Sequence, residues 1–169
     1  YPLNEIEPPP YLEKDRQDTA IQGGYNKEPG LGFDVMPSLA KPVSARTLGA
    51  LQAYLASVSF SDAMVGEVIK GLDQSGRANH TIIILWSDHG FHLGEKDNWG
   101  KFTLWERTTH VPFIVVAPGI TTAGSKSREA VSLQSIYPTL SELAGLEIPE
   151  HVDGKSLRPL LEKPESKWD

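Results

Sequence analysis

An aspartate and a histidine stand side by side directly after a strongly apolar run, and chemistry is expected there first. The run covers residues 82–86, and Asp88, His89 and Gly90 follow it after one serine. A carboxylate is the kind of ligand that hard divalent cations prefer. An imidazole can bind a metal, or donate or accept a proton near neutral pH. The alternative is structural, because Asp and His also cap helices and close turns.

Two apolar runs predict the strands that position this pair. Residues 81–87 and 111–117 are continuous apolar stretches rich in β-branched side chains. Their length is typical of strands buried on both faces, as in a parallel sheet. Ligands of open parallel sheets bind beyond the carboxyl ends of the strands, which is where Asp88 and His89 fall.

Helical periodicity surrounds the two predicted strands. Apolar residues recur at three- and four-residue steps over residues 45–75, and Gly76 provides a stop signal. A second helical pattern covers residues 131–146, where Pro138 predicts a break or a kink. A short apolar helix is expected within residues 153–161. Helix, strand, loop, strand and helix in this order indicate an α/β fold, with a mainly parallel sheet flanked by helices.

Composition excludes several classes of protein. The chain has 169 residues, 39% of them hydrophobic, which is enough to form a core. Its formal net charge is −6 and it has no basic cluster, so we expect neither nucleic-acid binding nor binding to an anionic membrane. No apolar run approaches the roughly 20 residues that a membrane-spanning helix needs. The absence of cysteine excludes disulfides, thiolate zinc sites and a cysteine nucleophile from this chain.

Three regions are predicted along the chain. Residues 1–45 are rich in proline and charge and show no sustained period, so we expect an irregular, extended segment. Residues 46–161 hold the predicted strands and helices, and residues 162–169 form a polar tail. A long segment without structure of its own is uncommon in a complete compact domain, so this chain is interpreted as part of a larger protein.

The stretch after the first strand resembles the sulfatases of the alkaline-phosphatase superfamily, most of all the branch that contains iduronate-2-sulfatase. That family reads Ser-Asp-His-Gly, then Leu-Gly-Glu, then Trp-x-Lys, then a polar pair before Val-Pro and a strand. The matching residues here are Ser87–Gly90, Leu93–Glu95, Trp99–Lys101, and Thr109–Pro112. The segment from Asp153 to Leu157 also resembles the family's Asp-Gly-x-Ser-Leu. The resemblance covers about residues 46–161.

The resemblance implies a role for several side chains. Asp88 would be a carboxylate ligand of the active-site divalent cation, which is usually calcium in this family. His89 would be a second metal ligand or would contact the sulfate ester oxygen. Lys101 would bind the sulfate group and offset the charge that builds up in the transition state. His92 would line the substrate cleft, with a surface loop position as the alternative.

The resemblance also shows what this chain lacks. The family's nucleophile is a formylglycine made from the first residue of Cys/Ser-x-Pro-x-Arg, and no segment of this sequence has that pattern. The family's paired N-terminal aspartates have no counterpart here. The chain is therefore expected to be the central-to-late part of a catalytic domain, inactive by itself and partnered by the missing N-terminal half.

Three functions remain open at this point. The first is a sulfuric ester hydrolase acting on a sulfated sugar or glycosaminoglycan unit. The second is a phospho- or phosphonate-ester hydrolase of the same superfamily, although the spacing of Trp99 and Lys101 favours sulfate. The third is a degenerate, non-catalytic binding protein that keeps the sheet. The resemblance alone suggests a location outside the cytoplasm: periplasmic, secreted or lysosomal.

Overall fold

The computed structural model describes residues 1–10 and 45–168 of the chain. It divides into two compact units, which are interleaved in sequence. The first comprises residues 1–73 and 89–111, and the second comprises residues 74–88 and 112–169. Most of the predicted irregular segment, residues 11–44, lies outside the described residues. None of the described helices combines the length and apolar character that a membrane crossing requires.

A long helix and an N-terminal segment pack together in the first unit. Helix α1 spans Ala45–Gln74, in agreement with the predicted 45–75, and Gly76 follows it with φ of 70°. Such a left-handed glycine is typical of a helix end. Leu51 of this helix is buried against Trp99, and Ile6, Ala50 and Leu93 complete the cluster.

Much of α1 beyond this cluster presents apolar side chains to solvent. Val58 and Val65, both in the predicted apolar stripe, are exposed, and so are Phe60, Met64 and Val68. The helix and the β1–β4 sheet belong to different units. The predicted packing of α1 on that sheet therefore stays a prediction.

The segment between the predicted strands folds into a small hairpin and one helical turn. Strands β2 (His92–Leu93) and β3 (Trp99–Gly100) pair antiparallel, with His92 opposite Gly100. A 3₁₀ turn over Glu95–Asp97 connects them, and Lys96 within it has φ of 53°. Helix α2 then spans Glu106–Thr109. Sequence periodicity predicts only a polar loop here.

The second unit contains the two predicted strands. Strand β1 (Ile83–Trp86) pairs with β4 (Phe113–Val116), which confirms that both lie in one sheet. The pairing is antiparallel, so the prediction of parallel strands is wrong for this pair. An uninterrupted apolar run indicates burial but does not encode strand direction. The ladder places Ile83, Leu85, Ile114 and Val116 on one face, and the last three are exposed.

Two short helices complete the second unit. A 3₁₀ turn at Leu133–Ser135 leads into α3 (Ile136–Leu143), and α4 spans Arg158–Glu162. The break predicted at Pro138 is absent because this residue lies in the first turn of α3, where a missing N–H is tolerated. The backbone N–H of Leu157 donates to Thr139 Oγ1 at 2.8 Å and links the two helices.

Candidate functional site

The first unit brings two of the predicted site residues into direct contact. The Nζ atom of Lys101 lies 2.7 Å from Nε2 of His89, although twelve positions separate them in sequence. The hairpin explains this approach, because His92 and Gly100 are paired and their outer neighbours are drawn together. The backbone N–H of Gly90 also donates to Thr108 O at 2.9 Å. A Cβ atom on Gly90 would collide with the Arg107 carbonyl, so this approach requires glycine.

Hydrogen-bond geometry assigns the protons of the His89–Lys101 pair. His89 Nδ1 lies 2.8 Å from Gly90 O, which can only accept, so Nδ1 carries the proton. An ammonium can only donate, so Lys101 donates to the lone pair of Nε2. This geometry fits an imidazole that carries its proton on Nδ1 and accepts from the lysine at Nε2. This arrangement suits contact with the oxygens of an anionic ester group.

The predicted metal site lacks a full set of ligands around Asp88 among the described residues. Asp88 is exposed and belongs to the second unit, while His89 and Lys101 belong to the first. Among the described residues, no cluster of three or more His, Asp or Glu side chains could hold a metal ion. Lys101 also occupies the lone pair of His89 Nε2, so ligation through this nitrogen would require breaking their hydrogen bond. The residues that the structure describes do not by themselves form a metal site.

His92 lies in the interior of the hairpin. Its side chain is 1% exposed. Its Nε2 atom lies 2.7 Å from Thr103 Oγ1, which in turn lies 2.8 Å from Thr108 Oγ1. The ring also meets Trp105 edge-on, with 5.3 Å between centroids. The surface alternative for His92 is therefore wrong, and its contact with substrate stays a prediction.

Glu95 is an ionised group held inside the same hairpin. Burial alone would raise its pKa, but several contacts outweigh this effect and lower the pKa from 4.5 to about 2. They are the His92 ring, the backbone N–H of Leu93 at 2.8 Å from Oε2, and Arg107 at 3.4 Å from Oε1. The carboxylate therefore remains charged and ties the hairpin turn to α2.

Sequence reasoning misses the residues that support the pair. Thr103, Thr108 and Arg107 have no spacing that separates them from ordinary loop residues, whereas Glu95 belongs to the Leu-Gly-Glu match. Trp99 is 7% exposed and packs on Leu51 beneath the hairpin, as its apolar ring favours. A single sequence gives no signal that hydroxyl groups five positions apart will meet.

Comparison with known proteins places this chain in a family. The family model described as Sulfatase matches residues 6–146. A sulfatase of Formosa agariphila is 40% identical over 170 residues, which cover 100% of this chain and 32% of the relative. Human iduronate 2-sulfatase is 38% identical over 122 residues, which cover 58% of this chain and 22% of the relative. The chain thus spans about a third or less of the length of these relatives.

Solved structures agree with the sequence comparison. A protein in complex with its substrate D-glucosamine-2-N,6-O-disulfate matches with a TM-score of 0.63 and 35% identity, covering 66% of this chain and 22% of its own. A phosphonate monoester hydrolase from Silicibacter pomeroyi matches with a TM-score of 0.60 and 37% identity, covering 64% and 21%. The family model extends over most of the chain, and the neighbours confirm the α/β class. This chain belongs to the sulfatase family.

Proposed function

We propose that this chain is the central-to-late part of a catalytic domain that hydrolyses a sulfate ester within a longer protein. The observation that carries the proposal is the His89–Lys101 pair, in which the imidazole Nε2 and the lysine Nζ lie 2.7 Å apart. A sulfated sugar or glycosaminoglycan unit is the proposed substrate class. The solved neighbour with a disulfated glucosamine as its substrate supports this choice.

Lys101 and His89 are proposed to hold the sulfuryl group. The ammonium offsets negative charge that grows on the sulfuryl oxygens or the leaving oxygen, which lowers the barrier more than it tightens substrate binding. Lys101 has other protons besides the one it gives His89, so it can contact an ester oxygen without losing that bond. The Nδ1–H bond to Gly90 O fixes the orientation of the His89 ring.

Asp88 is proposed as one ligand of a divalent cation, and calcium is the proposed ion. In the family, a cation and a formylglycine supply charge stabilisation and the nucleophile. Their remaining protein groups would come from residues outside this chain. His89 stays a predicted metal ligand, but its bond to Lys101 favours sulfate contact instead.

The proposed partner of this chain is the rest of the catalytic domain. Apolar side chains are exposed along α1, including Phe60 and Val68, and on the β1–β4 sheet, including Ile114 and Val116. Exposed apolar area of this kind is typical of surfaces that are covered by another element. A location outside the cytoplasm remains part of this proposal.

Phosphonate or phosphate monoester hydrolysis is the second candidate function. The structural match to the Silicibacter pomeroyi hydrolase, at 37% identity, specifically favours it. An ammonium beside a neutral imidazole would contact phosphoryl oxygens as readily as sulfuryl oxygens. The two functions therefore need to be distinguished by comparing the rates of one enzyme on both kinds of ester.

The test compares aryl sulfate, aryl phosphate and aryl phosphonate as substrates of the full-length enzyme. We expect the largest kcat/KM for the sulfate. Lys101→Ala should lower kcat for that substrate by about 100-fold, the usual cost of losing one charge-stabilising donor. Lys126→Ala, an exposed lysine in the second unit, is the matched control. A preference for phosphonate would support the second candidate, and the absence of turnover on all three would contradict both.

A further inference from the structure

Thr103 Oγ1 is the centre of a hydrogen-bonded cluster behind the His89–Lys101 pair. It lies 2.7 Å from His92 Nε2 and 2.8 Å from Thr108 Oγ1, and the backbone N–H of Trp105 approaches it at 3.4 Å. His92 and Thr108 are 1% and 4% exposed. Bulk water therefore cannot readily replace these partners if one of them is removed.

Thr108 anchors one end of this cluster to the main chain. Thr108 Oγ1 lies 2.9 Å from the carbonyl oxygens of Thr103 and Trp105, so its single proton points to these acceptors. Thr103 must then donate to Thr108 Oγ1. The contact between Thr103 Oγ1 and His92 Nε2 continues this cluster to the ring, with the donor set by the tautomer of His92. The three side chains thus form one continuous set of hydrogen-bond contacts.

The hydrogen-bonded cluster is connected to the main chain beside Lys101 and to the main chain beside His89. The backbone N–H of Thr103 donates to Lys101 O at 2.9 Å, which fixes the main chain next to the lysine. Thr108 O accepts from the Gly90 N–H at 2.9 Å, which fixes the main chain next to His89. A shift of Thr103 or Thr108 would therefore change the separation of the two functional side chains.

We propose that His92 is a positioning residue that acts through Thr103 and Thr108 to hold the Lys101 ammonium and the His89 ring at their working separation. The proposal rests on the proposed function, because it assigns a purpose to the placement of Lys101. Misplacing a catalytic group by about 1 Å can reduce a rate by about 100-fold. The loss should appear in kcat more than in KM, because charge stabilisation by Lys101 is strongest in the transition state.

Thr103→Val tests the proposal in the full-length enzyme, because it deletes the central hydroxyl and keeps the side-chain shape. We expect kcat to fall by about tenfold or more, with KM changed by less than about threefold. Thr103→Ser, which restores the hydroxyl, should recover most of the rate. Thr109→Val is the matched control. Thr109 lies on the same short helix and donates to Trp105 O at 3.3 Å, so its hydroxyl is outside the contact between Thr103 and His92.

A double-mutant cycle separates positioning from general loosening of the fold. In a Lys101→Ala background, Thr103→Val should change kcat by less than about twofold, because the group that it positions is already absent. Equal losses in both backgrounds would overturn the proposal, and so would a Thr103→Ser variant as impaired as Thr103→Val. A loss that appears only in KM would also overturn it.

A second measurement does not depend on turnover. Thr103→Val should change the ¹⁵N chemical shifts of both the His92 ring and the His89 ring in the full-length enzyme. An unchanged His89 ring in the variant would overturn the proposal. If the wild type hydrolyses none of the three esters, the proposed function fails while these shifts still decide the positioning role.

Discussion

Glu95→Gln is the perturbation with the clearest expected magnitude. The substitution keeps the shape of the side chain and an oxygen that can accept from the Leu93 N–H. It removes the negative charge that faces Arg107 at 3.4 Å and the His92 ring at 3.8 Å. The Glu95 side chain is only 18% exposed, so water compensates little for the lost contacts. We therefore expect the folded state to lose stability at neutral pH.

The pKa of Glu95 gives the size of this loss. The pKa falls from 4.5 to about 2 in the folded state. Each unit corresponds to about 1.4 kcal/mol, so the full shift corresponds to about 3 kcal/mol. Arg107 is 63% exposed and its attraction is screened, so we expect about 2 kcal/mol. A carboxyl with a lowered folded pKa stabilises the fold above its unfolded pKa, and the effect disappears as the pH falls toward 2.

Urea unfolding of the full-length protein measures the prediction. The free energy of unfolding should be about 2 kcal/mol lower for Glu95→Gln than for the wild type at pH 7. Roughly a quarter of that difference should be gone at pH 4. Glu67→Gln, whose ion pair with Lys70 is exposed, is the control and should lose less than about 0.5 kcal/mol. A Glu95→Gln loss as small as the control, or a difference that does not shrink at acid pH, would refute the reasoning.

Three further predictions concern the site and the completeness of the chain. In the full-length protein, Asp88→Asn should weaken calcium binding, measured by titration calorimetry, and lower aryl sulfate turnover with it; unchanged affinity would contradict the ligand role. Gly90→Ala should lower the unfolding free energy by about 1–3 kcal/mol because the new Cβ meets the Arg107 carbonyl. Gly66→Ala in α1, where no described atom lies within 4 Å of the new Cβ, should not lower the unfolding free energy. Equal losses of unfolding free energy in the two variants would refute this prediction. The 169-residue chain alone should hydrolyse no aryl sulfate with added calcium, and turnover abolished by Asp88→Asn would contradict that expectation.

The sequence predicts those parts of the fold that follow a simple period. Helix α1 and the strands β1 and β4 come from three- and four-residue spacing or continuous apolar runs, and their bounds agree within about two residues. Strand direction does not follow from such patterns, because partners are chosen by the whole sheet. The position of Pro138 also needs the helix start, since a proline that would break a helix interior is tolerated in its first turn.

The sequence predicts which residue types belong to the candidate site, but it does not predict how they contact one another. The family pattern singles out His89 and Lys101, but their contact depends on the hairpin between them, whose strands are two residues long. Two-residue strands carry no periodic signal. The burial of His92 likewise depends on partners that lie eleven and sixteen positions away, Thr103 and Thr108, and neither residue type is distinctive in a loop.

The β1–β4 ladder has a consequence for how much the segment between its two strands can vary in length. Trp86 pairs with Phe113, and the Ser87 N–H donates to Pro112 O at 3.2 Å, so residues 89–111 leave and rejoin the sheet at neighbouring points. The strand pairing thus holds the two ends of the 89–111 segment together, whatever residues lie between them. Loop-closure entropy grows slowly, by about 0.6 kcal/mol for each doubling of length. Insertions at the Glu95–Asp97 turn should therefore be tolerated without unpairing the two strands that anchor the segment.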